Sequence, residues 1–201
     1  MKPPSGPLVQ QQFDRLLFII RHGESPQNAG EKTGDWDKLT SKGVRQAAAV
    51  ADVASNYGIE KIVTSTAERA RQTAEVISQK TGLIPKETAL LVEHENVTKE
   101  NFALIKERAL NAQKAILETV HKKIAVVSHG RFSRSLVLSF FKQEKLEISD
   151  IHECLMGMEN TGITILGHLA QHSDPKKGWV LLRWNEVSHL SSELRSEVFC
   201  Q

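Results

Sequence analysis

The chain has 201 residues, enough for one domain with a sizeable core, and 40% of them are hydrophobic, as in ordinary soluble proteins. Its 26 basic and 24 acidic residues give a net charge of +2, which argues against nucleic acid or a membrane surface as a partner. Cys154 and Cys200 are too far apart for a disulfide framework or for the spacing of metal ligands, so we expect a reducing, cytoplasmic setting.

Residues 1–13 are predicted to form a flexible tail, because they combine prolines with polar glutamines and lack the apolar stretch of a signal peptide or membrane span. Residues 14–201 are expected to form a single domain. Its elements, read from hydrophobic periodicity and helix caps, are predicted in chain order as a strand at 16–20, a helix from Thr40 or Ser41 to Gly58, a strand at 59–65, a helix from Thr66 to Gly82, an extended piece at 89–92, a helix along 102–120, a strand at 124–128, a helix at 132–141, and strands at 163–166 and 180–184. This alternation predicts a three-layer α/β/α sandwich with a mostly parallel sheet, its last two strands antiparallel at the edge.

Two of the predicted strands end in the same way, with a histidine and then a glycine. The strand at 16–20 leads into His22, and the strand at 124–128 leads into His129. Ligands of open parallel sheets bind beyond the carboxyl ends of the strands, and a glycine there lets a ligand or backbone approach closely. Both histidines are therefore expected at one site.

Arginines accompany these histidines. Arg21 directly precedes His22, so its guanidinium could hold a phosphoryl group while the imidazole attacks it. Arg69 lies in the first turn of the second predicted helix, where the helix dipole and free amide groups also favour an anion. Arg71 lies about 200° further around that helix, so we expect it to be solvated or paired with Glu75.

Several short motifs then follow one another in the order seen in one enzyme superfamily. They are Arg21-His22-Gly23-Glu24-Ser25 with Asn28, Asp37-Lys38-Leu39-Thr40 with Gly43 and Gln46-Ala47, Ser65 through Arg69-Ala70 to Thr73-Ala74, Leu91-Val92-Glu93, Ser128-His129-Gly130, and Asn160-Thr161-Gly162-Ile163-Thr164. On these motifs the chain resembles the histidine phosphatase superfamily, the phosphoglycerate mutase-like proteins, over nearly all of residues 16–185. The resemblance implies a phosphoglycerate mutase-like fold and a phosphohistidine intermediate, with no metal and no other cofactor; no HExxH pattern or zinc-like spacing is present.

The resemblance also implies roles for individual residues. His22 would attack phosphorus as a neutral imidazole, with its other ring nitrogen donating to a carbonyl. Arg21, Arg69 and His129 would surround the transferred group, with His129 positively charged beside the phosphate.

Further residues complete the implied site. Asn28 and the amide of Gly130 are candidate donors to the phosphate. Glu93 matches the family's proton donor to the leaving oxygen, which later activates the water that cleaves phosphohistidine. Glu95 is a competing carboxylate two positions further on. The Gly-containing segment that many relatives have after the acid is absent here.

The segment between the acid and the second histidine bears on the reaction. Only 36 positions separate Glu93 from His129, so the insertion that covers the substrate in cofactor-dependent mutases is much reduced. A phosphatase must admit water, whereas a mutase must exclude it, so an open pocket favours hydrolysis. We therefore predict a metal-independent phosphatase of the histidine acid phosphatase type, acting on a small-molecule phosphomonoester or a phosphoprotein. A phosphoglycerate-type mutase and a catalytically weak phosphate-binding or scaffold protein are the alternatives, and the oligomeric state stays open.

Overall fold

The computed structural model describes residues 12–30, 37–94, 98–99, 101–142, 145, 147, 157–174 and 177–195. The elements of these residues are, in chain order, β1 (Phe13–Arg21), α1 (Ser41–Tyr57), β2 (Lys61–Ser65), α2 (Glu68–Thr81), β3 (Lys86–Thr88), α3 (Phe102–Leu117), β4 (Lys123–Ser128), α4 (Gly130–Lys142), β5 (Ile163–Leu169) and β6 (Trp179–Glu186), with 3-10 turns at Ala89–Leu91 and Ser192–Leu194. The strands form one sheet in the order β3-β2-β4-β1-β5-β6. The first four strands of that order are parallel, and β5 and β6 run antiparallel, as the sequence predicts.

The two faces of the central strand β1 show why helices cover both sides of the sheet. Leu17 and Ile19 point to one face, where they pack with α3 and α4. Phe18 and Ile20 point to the other face, where they pack with α1 and α2. All four side chains are buried, because successive residues of a strand alternate between two apolar layers. The predicted three-layer α/β/α sandwich is confirmed.

The helix boundaries follow from caps that the sequence carries. The Thr40 hydroxyl accepts a hydrogen bond from the Gly43 amide at 3.0 Å, so Thr40 rather than Ser41 caps α1. Gly58 ends this helix with a φ of 64°, a left-handed conformation that glycine adopts without strain. Within the described residues, no helix is both long enough and apolar enough to cross a membrane.

Several predicted boundaries need correction. The extended piece at 89–92 is wrong: the strand lies at Lys86–Thr88, and the Thr88 hydroxyl then accepts from the Leu90 amide at 3.3 Å and starts a 3-10 turn. β3 is an edge strand held by backbone pairing to β2, so its polar side chains give no apolar pattern. The predicted helix along 102–120 ends at Leu117, and Val120 is 89% exposed.

The remaining differences concern the ends of elements. α2 begins at Glu68, two residues after the predicted start, because residue 67 is still extended. β1 begins at Phe13, the last position of the predicted tail, whose first eleven residues lie outside the described part of the chain. Cys154, Cys200 and Glu95 also lie outside it.

Candidate active site

The two strand-end histidines meet because β1 and β4 are parallel neighbours in the sheet. Arg21 pairs in register with Ser128, and the His22 amide continues the ladder by donating to the Ser128 carbonyl at 2.9 Å. The rings of His22 and His129 then lie edge to face with their centroids 5.0 Å apart. The strand ends thus bring together two residues that are far apart in the sequence.

A cavity of about 350 Å³ opens beside these histidines at the carboxyl edge of the sheet. It is lined by Arg21, His22, Gln27, Asn28, Arg69, Glu93, Gly130, Arg131, Arg134, Gly157 and Met158. This wall includes every site residue expected from the sequence except His129. That residue is fully buried behind the wall and contacts it through Nδ1, which lies 3.1 Å from Arg69 Nη2.

The tautomer of His22 follows from its hydrogen bonds. The Arg69 Nε, which can only donate, lies 3.0 Å from His22 Nε2, so Nε2 carries a lone pair. His22 Nδ1 lies 2.7 Å from the carbonyl oxygen of Gly23 and therefore holds the proton and donates it. The ring is locked with its unprotonated nitrogen at Nε2, and its other nitrogen donates to a carbonyl as expected.

Arg69 contacts both histidines and an acidic residue at once. Its Nη2 donates to His129 Nδ1 at 3.1 Å, and its Nη1 donates to the Asp37 carboxylate. Because His129 Nδ1 accepts, its Nε2 must donate to the Ser65 hydroxyl, 2.9 Å away. Asp37 also accepts from the Glu68 amide at 2.9 Å, which fixes Asp37 at the start of α2.

Burial favours the neutral form of both histidines. Complete desolvation, followed by the nearby charges of Arg21 and other cations, lowers the pKa of His22 well below its usual value. The neutral nucleophile that phosphoryl transfer requires is therefore present. Burial and then Arg69 lower the pKa of His129 to about 3, so the positive charge expected on His129 beside a phosphate stays a prediction that needs the phosphate's own negative charge.

Arg21 is held from two sides. Its Nη1 donates to the Met158 carbonyl, and Gly130 lies beside it: a Cβ added at Gly130 would lie 3.4 Å from Arg21 Nε, an ordinary van der Waals distance. Burial lowers the pKa of Arg21, while the nearby carboxylates of Glu93 and Glu159 raise it; the side chain stays charged.

Gly23 makes room for a helix rather than for a ligand. A Cβ at Gly23 would lie 2.5 Å from the carbonyl oxygen of Gly43 in the first turn of α1. The Gly23 amide donates to the Thr73 hydroxyl of α2 at 3.0 Å. The loop after β1 is therefore clamped between two helices, which fixes the backbone of His22.

Asn160 positions the neighbouring backbone, a role that the sequence does not reveal. Its Nδ2 donates to the His22 carbonyl at 3.0 Å and to Asn28 Oδ1 at 3.1 Å. Asn28 Oδ1 also accepts from the amide and hydroxyl of Ser25, so the NH₂ group of Asn28 is the end that remains for a ligand. Thr161 has a φ of 57°, unusual for a β-branched residue, and its amide donates to the carbonyls of residues 21 and 22.

Glu93 lies at the start of α4 rather than in free solvent. Its Oε1 accepts from the amides of His94 at 3.1 Å and Phe132 at 2.9 Å, and its Oε2 accepts from the Arg131 amide at 3.2 Å. The preceding segment is fixed by the Ser128 hydroxyl, which donates to the Leu91 carbonyl at 2.8 Å. Glu93 thus faces the cavity from a defined position.

Two arginines of the cavity wall were missed by the sequence analysis. Arg131 and Arg134 follow His129 by two and five positions and lie in the first turns of α4. Their spacing of three on a predicted helix that starts at a strand end is the signal that could have found them, because such residues share a helix face.

Arg71 lies outside the cavity and is half-exposed, and of the two expected alternatives the pairing with Glu75 is wrong. It bonds Glu68 at 3.1 Å, one turn earlier on the helix, and Glu87 of β3 at 3.2 Å, instead of Glu75. The edge strand brings Glu87 beside α2, a neighbour that helix periodicity alone does not reveal. Among the described residues, no three His, Cys, Asp or Glu side chains are grouped so that they could hold a metal ion.

Comparison with known families gives one assignment. The sequence profile described as "Histidine phosphatase superfamily (branch 1)" matches residues 17–96 and 92–187, which together cover most of the chain. Curated relatives include "Probable phosphoglycerate mutase GpmB" of Cronobacter sakazakii, 44% identical over 68 residues, and the protein of that name from Escherichia coli, 43% identical over 68 residues. The match covers 33% of this chain and 32% of each relative, so the aligned region is about a third of their length.

Solved structures share the fold. A mycobacterial glucosyl-3-phosphoglycerate phosphatase, solved in complex with VO3, superposes with a TM-score of 0.67 at 24% identity, over 86% of this chain and 100% of that one. A phosphoserine phosphatase of Entamoeba histolytica, in complex with 3-phosphoglyceric acid, superposes with a TM-score of 0.63 at 23% identity, over 88% and 100% of the two chains. At these identities the superpositions establish the common fold.

Proposed function

This chain belongs to the histidine phosphatase superfamily (branch 1), and on that basis we propose that it is a phosphomonoester hydrolase that works through a phosphohistidine at His22. The observation that carries the proposal is the state of His22: a neutral ring whose Nδ1 donates to the Gly23 carbonyl and whose Nε2 lone pair faces a cavity lined by arginines. A neutral imidazole fixed in this way is a nucleophile that needs no prior deprotonation.

In the first step, His22 Nε2 attacks phosphorus, and the bond from phosphorus to the leaving oxygen breaks. The substrate must first displace the Arg69 Nε from His22 Nε2, so a phosphoryl oxygen takes over that N–H. Arg21 and Arg69 match the charge on the equatorial oxygens, with the NH₂ of Asn28 and the amide of Gly130 as further donors. Bound phosphate would also favour a proton on His129, which is neutral without it.

In the proposed step Glu93 enters as the carboxylic acid, donates its proton to the leaving oxygen and becomes a carboxylate. A carboxylate has about four lone-pair sites, and backbone amides occupy three of those on Glu93, which leaves one for the transferred proton. After the leaving group departs, the same oxygen accepts a proton from the water that attacks phosphohistidine. The products are an alcohol and inorganic phosphate, and His22 returns to its starting state.

The cavity favours a small substrate. Its volume of about 350 Å³ lies at the lower end of the range for small-molecule sites, and among the described residues of its wall Met158 has the one apolar side chain. A small polar phosphomonoester fits this space better than a phosphoprotein. The names of the fold neighbours, which include two phosphatases, are consistent with hydrolysis. The two distant cysteines suit a reducing, cytoplasmic compartment.

A mutase is the second candidate, because curated relatives that share 68 residues carry the name phosphoglycerate mutase. It would use the same phosphohistidine and would return the phosphoryl group to an alcohol instead of to water. A phosphate-binding protein without turnover, of an entirely different class, would use the arginines alone.

One experiment separates the three functions. We expect the protein to release phosphate from p-nitrophenyl phosphate and from members of a panel of small phosphomonoesters, with an acid-labile, alkali-stable phosphoenzyme. His22→Ala should lower turnover by at least about 10⁴-fold and abolish the phosphoenzyme. His121→Ala, which changes an exposed histidine at the far end of β4, serves as the matched control.

The other outcomes identify the other functions. Retained turnover in His22→Ala would contradict the nucleophile assignment. Phosphoryl transfer between the hydroxyls of phosphoglycerate that outpaces hydrolysis would make the protein a mutase. Phosphate binding with no turnover and no phosphoenzyme would make it a binding protein.

A further inference from the structure

The buried face of helix α1 carries one polar side chain, that of Gln46. The buried residues of this helix are Gly43, Gln46, Ala47, Val50, Ala51 and Ala54. The Gln46 side chain has no exposed surface, and burying a primary amide is costly unless both its N–H and its C=O have hydrogen-bond partners. Both groups of Gln46 have partners, and these partners indicate what the residue does.

The carboxamide of Gln46 connects two segments that are far apart in the sequence. Its Oε1 accepts from the backbone amide of Glu24 at 2.8 Å, in the loop after β1. Its Nε2 donates to the carbonyl of Leu194 at 2.7 Å, in the 3-10 turn Ser192–Leu194. A donor faces the oxygen and an acceptor faces the nitrogen, so the carboxamide has one orientation. Gln46 thus joins the turn at Ser192–Leu194 to the loop that follows the nucleophile.

The Glu24 amide belongs to the same peptide group as the Gly23 carbonyl. That carbonyl accepts the Nδ1 proton of His22 at 2.7 Å. Because a peptide group is planar, the hydrogen bond that Gln46 accepts from its N–H fixes the direction of its C=O. Gln46 therefore orients the acceptor that holds the ring of His22.

These contacts form a chain of hydrogen bonds that all run in the same direction. Its links are, in order, His22 Nδ1–H to the Gly23 carbonyl, the Glu24 amide to Gln46 Oε1, and Gln46 Nε2 to the Leu194 carbonyl. Each amide in the chain accepts at one end and donates at the other, so each hydrogen bond polarises the next one. The side chains of His22 and Gln46 are buried, and the low local dielectric strengthens the bonds that they make.

We propose that Gln46 is a positioning residue for the nucleophile and acts on His22 through the peptide group between Gly23 and Glu24. This inference deepens the proposed function and rests on it, because it takes His22 as the group that attacks phosphorus. A more strongly polarised Gly23 carbonyl attracts the Nδ1 proton more strongly and so makes the other ring nitrogen more basic. That nitrogen is His22 Nε2, which forms the bond to phosphorus.

Gln46→Met tests the proposal, because methionine fills a similar volume and makes neither hydrogen bond. We expect the rate of phosphoenzyme formation from p-nitrophenyl phosphate, measured by rapid quench, to fall about ten-fold. The affinity for inorganic phosphate, measured by calorimetry, should change by less than about two-fold, because Arg21 and Arg69 still bind the anion. Gln113→Met is the matched control, since it removes a buried glutamine of α3, on the opposite face of the sheet.

The proton on His22 Nδ1 supplies a readout that a loss of global stability alone would not move. Its magnetic resonance signal, assigned by its absence from His22→Ala, lies further downfield when its hydrogen bond to Gly23 is stronger. We expect an upfield shift in Gln46→Met and no shift in Gln113→Met. In Gln46→Glu an oxygen still accepts from the Glu24 amide, so the signal and the rate of phosphoenzyme formation should stay closer to those of the native protein than in Gln46→Met.

Native phosphoenzyme formation with an unmoved signal in Gln46→Met would overturn the proposal. A loss of phosphate affinity as large as the loss of rate would also overturn it, because Gln46 would then hold the whole phosphate site rather than His22. If Gln46→Met does not fold, Gln46→Glu decides: its rate should lie within about three-fold of the native rate, and a larger loss would contradict the inference.

The signal of the Nδ1 proton and the affinity for phosphate are both measured without turnover. A signal that moves as expected in Gln46→Met, in a protein that forms no phosphoenzyme from any substrate, would overturn the proposed function and leave the contact between Gln46 and His22 established. A phosphoenzyme that forms at the same rate in the native protein and in Gln46→Met would overturn the role of Gln46 and leave the proposed function intact.

Discussion

The two sides of the cavity differ in how their side chains are held. On the phosphate wall, formed by Arg21, His22 and Arg69, the side chains are fixed by other parts of the protein: both ring nitrogens of His22 are hydrogen-bonded, and Arg69 contacts three groups. On the leaving-group wall, formed by Glu93, Arg131 and Arg134, backbone amides hold the carboxylate, but the Arg131 guanidinium extends into open space.

This difference separates the reaction from the choice of substrate. Strand ends and the first turn of α2 build the phosphate wall, so its geometry is part of the sheet and is the same for any phosphomonoester. The leaving-group wall comes from the segment before residue 95 and from α4, where a change of side chain leaves the sheet untouched. We therefore expect substitutions on the phosphate wall to lower kcat/KM by the same factor for all substrates. Substitutions on the leaving-group wall should lower kcat/KM by different factors for different substrates.

Glu93→Gln should give the largest difference between substrates in the loss of kcat/KM. The glutamine cannot supply a proton, so kcat/KM for an alkyl phosphate should fall by about 10²- to 10⁴-fold, whereas an activated aryl phosphate should lose less than about ten-fold. Steady-state kinetics on both substrates measures the difference. Glu107→Gln, an exposed glutamate of α3, is the control. A loss of the same size on both substrates would move Glu93 out of the role of acid.

Asp37→Asn should give a smaller loss of kcat/KM that is the same for all substrates. It weakens the contact that orients Arg69 while the amide oxygen can still accept from the Glu68 backbone, so kcat/KM should fall by about 10- to 100-fold on alkyl and aryl phosphates alike. Inorganic phosphate should inhibit the variant less strongly for the same reason. The matched control is Asp52→Asn, which breaks a surface pair with Lys80. A loss confined to one class of substrate would place Asp37 on the leaving-group side instead.

The sequence was sufficient to predict the phosphate wall because each residue there follows a buried strand. Apolar runs before His22 and His129 indicate parallel strands, and parallel strands place their ends at one edge. The proximity of the two histidines to Arg69 could therefore be predicted without predicting the conformation of any loop. β3 could not be found in this way, because an edge strand paired through its backbone carries no apolar pattern.

The burial of His129, which lowers its pKa, and the leaving-group wall could not be predicted from the sequence for a different reason. Whether His129 is protonated depends on its burial and on the direction of the hydrogen bond from Arg69, which are properties of the packed structure. The environment of Glu93 depends on amides of α4 that lie 38 and 39 positions away. Arg131 and Arg134 carry no mark in the sequence beyond their spacing, and only the structure shows that both line the cavity.

The buried histidines of the phosphate wall should also make stability depend on pH. His22 has a strongly lowered pKa in the folded protein, whereas an unfolded histidine has a pKa of about 6.5. Below that value the unfolded chain binds a proton that folded His22 does not bind. The contribution of neutral His22 to the free energy of unfolding is therefore fully present above about pH 6.5 and is lost as the pH decreases. His129, with its pKa lowered by burial to about 3, adds to the same fall.

Each such histidine contributes up to about 1.4 kcal/mol per pH unit in this window. Between pH 6 and pH 5, His22→Ala should therefore lose about 1 kcal/mol less of its free energy of unfolding than the native protein does. Urea denaturation at both pH values measures this, with His121→Ala, an exposed histidine, as the control. His189, whose burial lowers its pKa to about 4, contributes equally to every variant and cancels in the difference. If the native protein and His22→Ala lost the same free energy of unfolding between pH 6 and pH 5, His22 would have the same pKa in the folded and unfolded states. The ring of His22 would then be in contact with water in the folded protein.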